Sequence, residues 1–134
     1  APGGWTQVAS KIVGNKGKVM GVDTSFVEEI SGAYMLNARI NDDITEEIFL
    51  FFDKKINAVI SDLSPQVTGN WSVDHSIQIS LNYDAVKIME QVLAKKGNAI
   101  FKVFDGEYSN EFYENLKKNF WKIFEILVVT TTLS

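Results

Sequence analysis

The chain has 134 residues and is 46% hydrophobic, enough apolar material for one core and a single domain over 1–134 but not for two. With no cysteine and one histidine, His75, it excludes a disulfide framework, a thiolate metal site and a histidine-built zinc site. A net charge of −4 argues against an autonomous nucleic-acid binder, because phosphate contacts need a concentrated positive face; any grip on nucleic acid must be local or lie elsewhere.

In chain order, Trp5, Val8, Ala9 and Ile12 recur at helical spacing, with glycines before them and Gly14, Asn15 and Gly17 as a stop. Lys18 to Asp23 then reads as a strand ending on a carboxylate, and Tyr34 to Ala38 as a second strand. Asp43, with Glu46 three residues later, resembles a capping box that opens a helix through about Phe52. Ile56 to Ser61 is a third strand. Beyond a loop holding Pro65, Gly69 and Asn70, the residues Ile77, Leu81, Ala85, Ile88, Met89 and Val92 mark one face of the clearest helix, closed by Lys95-Lys96-Gly97.

Ala99 to Phe104 is a fourth strand, Phe112, Leu116 and Phe120 stripe another helix, and Phe124 to Thr130 is a β-branched final strand. This alternation predicts an open α/β sheet with helices on both faces, whose ligands bind beyond the carboxyl ends of the strands. The lysine pairs 54–55, 95–96 and 117–118 sit near predicted helix ends and read as solvated surface. Apolar runs such as Ile48 to Phe52 and Ile126 to Val129 are far shorter than the ~20 residues of a membrane span, and no secretory signal is seen. A cytoplasmic protein with no membrane contact is the expectation.

Chemistry has to come from carboxylates, lysines and backbone. Gly3 and Gly4 stand just before a helix, where bare backbone can approach a ligand and unpaired N–H groups face it. Asp23 follows at about 20 residues, the spacing at which an acid receives a nucleotide ribose. Taken singly, the glycines are a tight turn, Asp23 is a loop acid and Trp5 is packing; together they read as a nucleoside-binding half.

Lys102 lies within the run Phe101-Lys-Val-Phe104, and a lysine among apolar residues should be neutral or paired with an acid. Asp62, at the end of the neighbouring third strand, offers that acid. Val67 to His75 is a plausible floor for a substrate; Trp71 either stacks a base or covers the following helix. His75, beside Asp74 at a helix start, is expected to cap or to sit at the surface.

Four segments, Ala1-Pro-Gly-Gly-Trp-Thr-Gln7, Ser61-Asp-Leu-Ser-Pro65, Gly69-Asn-Trp-Ser-Val-Asp-His75 and Phe101-Lys-Val-Phe-Asp-Gly-Glu107, resemble in order the motifs of the heat-shock rRNA methyltransferase family known as FtsJ or RrmJ. The resemblance implies a Rossmann-like fold that uses S-adenosyl-L-methionine to methylate a ribose 2′-oxygen of RNA, with large-subunit rRNA (a uridine) or the ribosomal subunit as partner. It further implies a Lys-Asp-Lys-Glu tetrad in which Asp62 is the aspartate and Lys102 the second lysine. The first lysine, the glutamate, the fold's first strand and its C-terminal segment would then fall outside the 134 residues.

By the same resemblance Gly3, Gly4 and Trp5 contact the cofactor, Asp23 takes its ribose hydroxyls and Asp62 holds its methionine end. Where the family has a Gly-Asp pair reading adenine, this chain has Ala38-Arg39; arginine cannot accept that hydrogen bond, which leaves the backbone of Ile40, or Asn41 or Asp42. No metal is implied, and a monomer is favoured. The competing readings are a tRNA 2′-O-methyltransferase, a non-catalytic module that binds cofactor or RNA, and half of a nicotinamide-dependent dehydrogenase. The last lacks the Gly-x-Gly-x-x-Gly spacing.

Overall fold

The computed structural model describes residues 3–40 and 44–119. The elements run α1 (Gly4–Val13), a 3-10 turn (Gly14–Lys16), β1 (Met20–Asp23), β2 (Tyr34–Asn37), α2 (Thr45–Phe52), β3 (Ile56–Ser61), α3 (Trp71–Val92), β4 (Leu93–Phe101) and α4 (Ser109–Asn119). This is the predicted order. The expected final strand at 124–130 lies outside the described residues.

Both strand pairs are parallel. β1 pairs with β2 from Met20↔Tyr34 to Asp23↔Asn37, and β3 pairs with β4 from Ala58↔Asn98 to Ser61↔Phe101. Among the described residues the two pairs are not hydrogen-bonded to each other, so the expected open sheet is present as two parallel pairs. What joins them is α3. Its Val86 and Met89 belong to a core with Ile79, Phe101, Val103, Phe112 and Leu116, while Val92 packs with Ile44 and Ile48 against Met20, Val22 and Leu36.

Helix α1 starts on Gly3 in the left-handed conformation and stops on Gly14. Its packed face differs from the predicted stripe: Val8 and Ile12 are exposed. Thr6 and Ser10 take the inner side instead, against glycines. A Cβ at Gly21 would come within 2.7 Å of Thr6 Oγ1, and one at Gly32 within 2.7 Å of Ser10 Oγ. Close approach of backbone to a small polar face replaces interdigitated apolar side chains here.

Helix α2 has Ile44 at its N-cap with no side-chain cap, one position later than the expected Asp43, which lies outside the described residues. It ends on Asp53 at φ 60, whose N–H reaches Phe49 O at 2.7 Å.

Helix α3 also departs from expectation. It opens at Trp71, so the loop before it is shorter than Val67 to His75, and it closes at Val92 rather than at Lys95-Lys96-Gly97. Those three residues belong to β4, where Lys96 takes φ 67 near a break in register. The lysine pairs are exposed as expected. The larger departure is the buried face. From Asp74 to Asn82, α3 buries Asp74, His75, Gln78 and Asn82 beside Ile79, and leaves Ile77 exposed.

Candidate functional site

Asp62 and Lys102 meet where β3 and β4 end. Lys102 lies one residue beyond β4, not within it, and its N–H continues the ladder to Ser61 O at 2.8 Å. The register Ser61↔Phe101 therefore sets the next residue of each strand side by side. Their side chains form an ion pair, and the Lys102 ammonium also stands 5.8 Å from the Phe104 ring centre. Alternation explains the outcome. Phe101 and Val103 turn into the core, so Lys102 between them points to the open end and shares it with Asp62.

The polar face of α3 holds these two loops together. Gln78, fully buried, donates from Nε2 to Leu63 O (3.1 Å) and Lys102 O (3.4 Å), and its Oε1 accepts from Phe104 N–H (2.7 Å). Asn82, one turn on, donates to Lys102 O at 3.1 Å. One glutamine thus ties the segment after Asp62 to both flanks of Val103. Sequence periodicity missed Gln78 and Asn82, because polar residues on a helix read as solvent-facing. The available signal was that Asp74, Gln78 and Asn82 recur every four residues, a polar stripe as regular as an apolar one.

His75 is neither a cap nor a surface residue: it is buried, with Nε2 accepting from Tyr108 N–H at 3.0 Å. That bond puts the imidazole proton on Nδ1. Its ring lies parallel to Tyr108, 5.8 Å between centres, and Gly106 leaves room for it, since a Cβ there would sit 2.7 Å from the ring. The helix itself is capped by Asn70, whose Oδ1 accepts from Val73 N–H at 3.4 Å. Asp74 fastens the preceding loop, accepting from Thr68 N–H (2.8 Å) and Thr68 Oγ1–H (2.7 Å). Those two bonds, with a lesser one from Gly69 N–H, hold the Asp74 carboxyl below its ordinary value against the opposing effect of burial. Trp71 stacks on Phe104, with centres 5.5 Å apart.

The second group surrounds α1. Gly3, at φ 81, abuts Val27 and Ile30 of the loop after β1, where a Cβ would meet either side chain at 2.8 Å. Above Gly4 nothing lies within 4 Å of such a Cβ. Asp23 closes β1, its Oδ1 accepting from Ser25 N–H at 2.8 Å and its carbonyl from Ala38 N–H at 3.0 Å. Trp5 is partly exposed, and Ile40 lies in the turn after β2, half-buried. Gly3 and the Asp23 loop are thus brought together, as are Asp62 and Lys102. No hydrogen bond or ion pair joins the two groups among the described residues. Two shallow depressions lie away from both, one beside Thr45 and Gln91, the other around Lys18 and Gly32.

Parallel strands alternating with helices, with polar side chains gathered at their carboxyl ends, place the chain among Rossmann-like α/β proteins. The model of the FtsJ-like methyltransferase family matches residues 1–127, and the chain belongs to that family. It is 62% identical over 124 residues to the ribosomal RNA large subunit methyltransferase E of Nitrosopumilus maritimus, covering 92% of this chain and 63% of that protein. The protein of the same name from Cenarchaeum symbiosum is 52% identical over 122 residues, covering 91% of this chain and 62% of its own length. The chain thus spans less than two thirds of these relatives. A crystal structure of a Plasmodium falciparum protein described as a ribosomal RNA methyltransferase superposes with a TM-score of 0.75 at 28% identity, covering 87% of this chain and 69% of that one.

Proposed function

We propose that this chain forms the cofactor- and substrate-handling face of an enzyme that moves a methyl group from S-adenosyl-L-methionine to a ribose 2′-oxygen of RNA, with large-subunit rRNA as substrate. The single observation that carries the reading is the Asp62–Lys102 ion pair at adjoining strand ends. Membership of the FtsJ-like family and the names of the archaeal relatives favour methyl transfer to ribosomal RNA over a tRNA substrate or a dehydrogenase half.

The residues fit a nucleoside cofactor. The space over Gly4 admits close approach to bare backbone, and the Asp23 carboxylate, fixed through one oxygen by Ser25, offers the other to ribose hydroxyls. Gly3 shapes the turn, Trp5 and the backbone of Ile40 border the adenosine, and Asp62 lies on the methionine side. Bound there, S-adenosyl-L-methionine supplies an activated methyl group on a sulfonium.

The chain's own task is to align the ribose oxygen and stabilise its developing charge. Alignment contributes as much as ~7–11 kcal/mol in favourable intramolecular models. The Lys102 ammonium, ion-paired with Asp62, can hydrogen-bond the 2′-oxygen and stabilise alkoxide character. The hydroxyl proton passes to water as the oxygen takes the methyl group.

Calorimetric titration with S-adenosyl-L-methionine tests the cofactor half. Binding that Asp23→Ala weakens by about tenfold or more is expected, the loss of a hydrogen-bonded ionised acceptor. A folded chain that binds nothing, or binds equally well without Asp23, overturns the assignment.

A further inference from the structure

The first turn of α3 and the segment after Lys102 build two aromatic stacks that the cofactor site does not use. Trp71 lies over Phe104 and His75 lies against Tyr108, with Trp71 and His75 four residues apart on α3 and Phe104 and Tyr108 four residues apart on the segment facing it. In each stack one ring is buried and one is open: Phe104 is 8% and His75 2% exposed, whereas Trp71 is 43% and Tyr108 37% exposed. The backing is rigid. Gln78 Oε1 fixes the Phe104 amide, Tyr108 N–H is bonded to His75, and Asp74 and Asn70 anchor the loop that delivers Trp71.

We propose that Trp71 and Tyr108 form a two-ring ledge that takes unpaired nucleobases of single-stranded RNA beside the reaction centre. The ring of Phe104 carries Trp71 at 5.5 Å and the Lys102 ammonium at 5.8 Å, so a base lying on Trp71 belongs to a nucleotide close to Lys102. Rings already held in place lose little freedom on binding, and stacking tolerates any base because every base has a π-face. Stacking also answers the charge problem. A chain of net charge −4 has little to neutralise phosphates with, and uncharged ring faces attract bases regardless. The inference takes RNA as substrate from the proposed function and adds the form of RNA and the residues that receive it.

The test is fluorescence anisotropy of the full chain with a labelled single-stranded RNA 10-mer of mixed sequence and with an RNA hairpin duplex. Trp71→Ala and Tyr108→Ala should each weaken single-strand binding roughly 5- to 150-fold, the range for one lost base stack. Trp71→Phe and Tyr108→Phe should retain it, and Trp71→Phe should abolish most of the RNA-induced quenching of tryptophan emission. Should Trp71→Ala fail to fold by circular dichroism, the quenching of Trp71→Phe and the affinity of Tyr108→Ala decide. Single-strand affinity unchanged in the alanine variants, equal losses for single strand and duplex, or no single-strand binding by the unaltered chain overturns the ledge. S-adenosyl-L-methionine binding is read separately. Aromatic-dependent RNA binding without cofactor binding removes the methyltransferase reading and keeps the ledge; the converse removes the ledge alone.

Discussion

Replacing Gln78 with leucine keeps the size of the side chain and removes all its hydrogen bonds, so the cost follows from the partners left behind. Phe104 N–H is buried and loses its acceptor at 2.7 Å; Leu63 O, in a half-buried residue, loses its donor; Lys102 O keeps Asn82. An orphaned buried amide costs about 1–3 kcal/mol and a partly hydrated carbonyl less, giving about 2–4 kcal/mol for Gln78→Leu. In urea unfolding with a slope of about 2 kcal/mol per molar, the midpoint should fall by about 1–2 M. Asn82→Leu removes one of two donors to Lys102 O and should cost about half as much. A Gln78→Leu midpoint within about 0.2 M of the unaltered protein, a difference of only about 0.4 kcal/mol, would show that these bonds contribute little to stability.

Two further outcomes follow from the same face of α3. The depressed Asp74 carboxyl makes folding weaker in acid: its stabilisation is present above the unfolded value of about 4 and is lost as pH falls through the lower folded value. Asp74→Asn should therefore flatten the acid limb of a stability-versus-pH curve below pH ~4, and an unchanged limb would show that Thr68 does not hold the charge. Gly106→Ala drives a methyl to 2.7 Å from the buried His75 ring and should destabilise by about 1–3 kcal/mol in thermal unfolding. No loss at Gly106→Ala would mean that the His75–Tyr108 stack is looser than described.

Much of this architecture is legible in the sequence because apolar periodicity is a local property. β3 falls at Ile56–Ser61 as expected, and β1, β2 and α1 end within about two residues of their predicted limits. The Asp62–Lys102 pair is legible for a different reason: a lysine between Phe101 and Val103 violates the apolar pattern and demands a partner. The buried face of α3 is not legible in that way. Asp74, His75, Gln78 and Asn82 satisfy loop backbone, and a pattern of hydrophobic residues carries no record of where unpaired carbonyls and amides lie. The expectation that His75 caps the helix or sits at the surface fails for this cause, and the apolar spacing of Val8 and Ile12 does not mark the packed face of α1 because glycine contacts leave no apolar signature.

The most direct measurement is transfer of labelled methyl from S-adenosyl-L-methionine to large-subunit rRNA, with the product located by its resistance to alkaline cleavage at a 2′-O-methylated ribose. Transfer to the 2′-oxygen is expected, with a fall of about 10²–10³-fold in kcat for Lys102→Ala and partial activity for Lys102→Arg, which keeps a charged donor. Full activity of Lys102→Ala, or methylation on a base, would contradict that expectation.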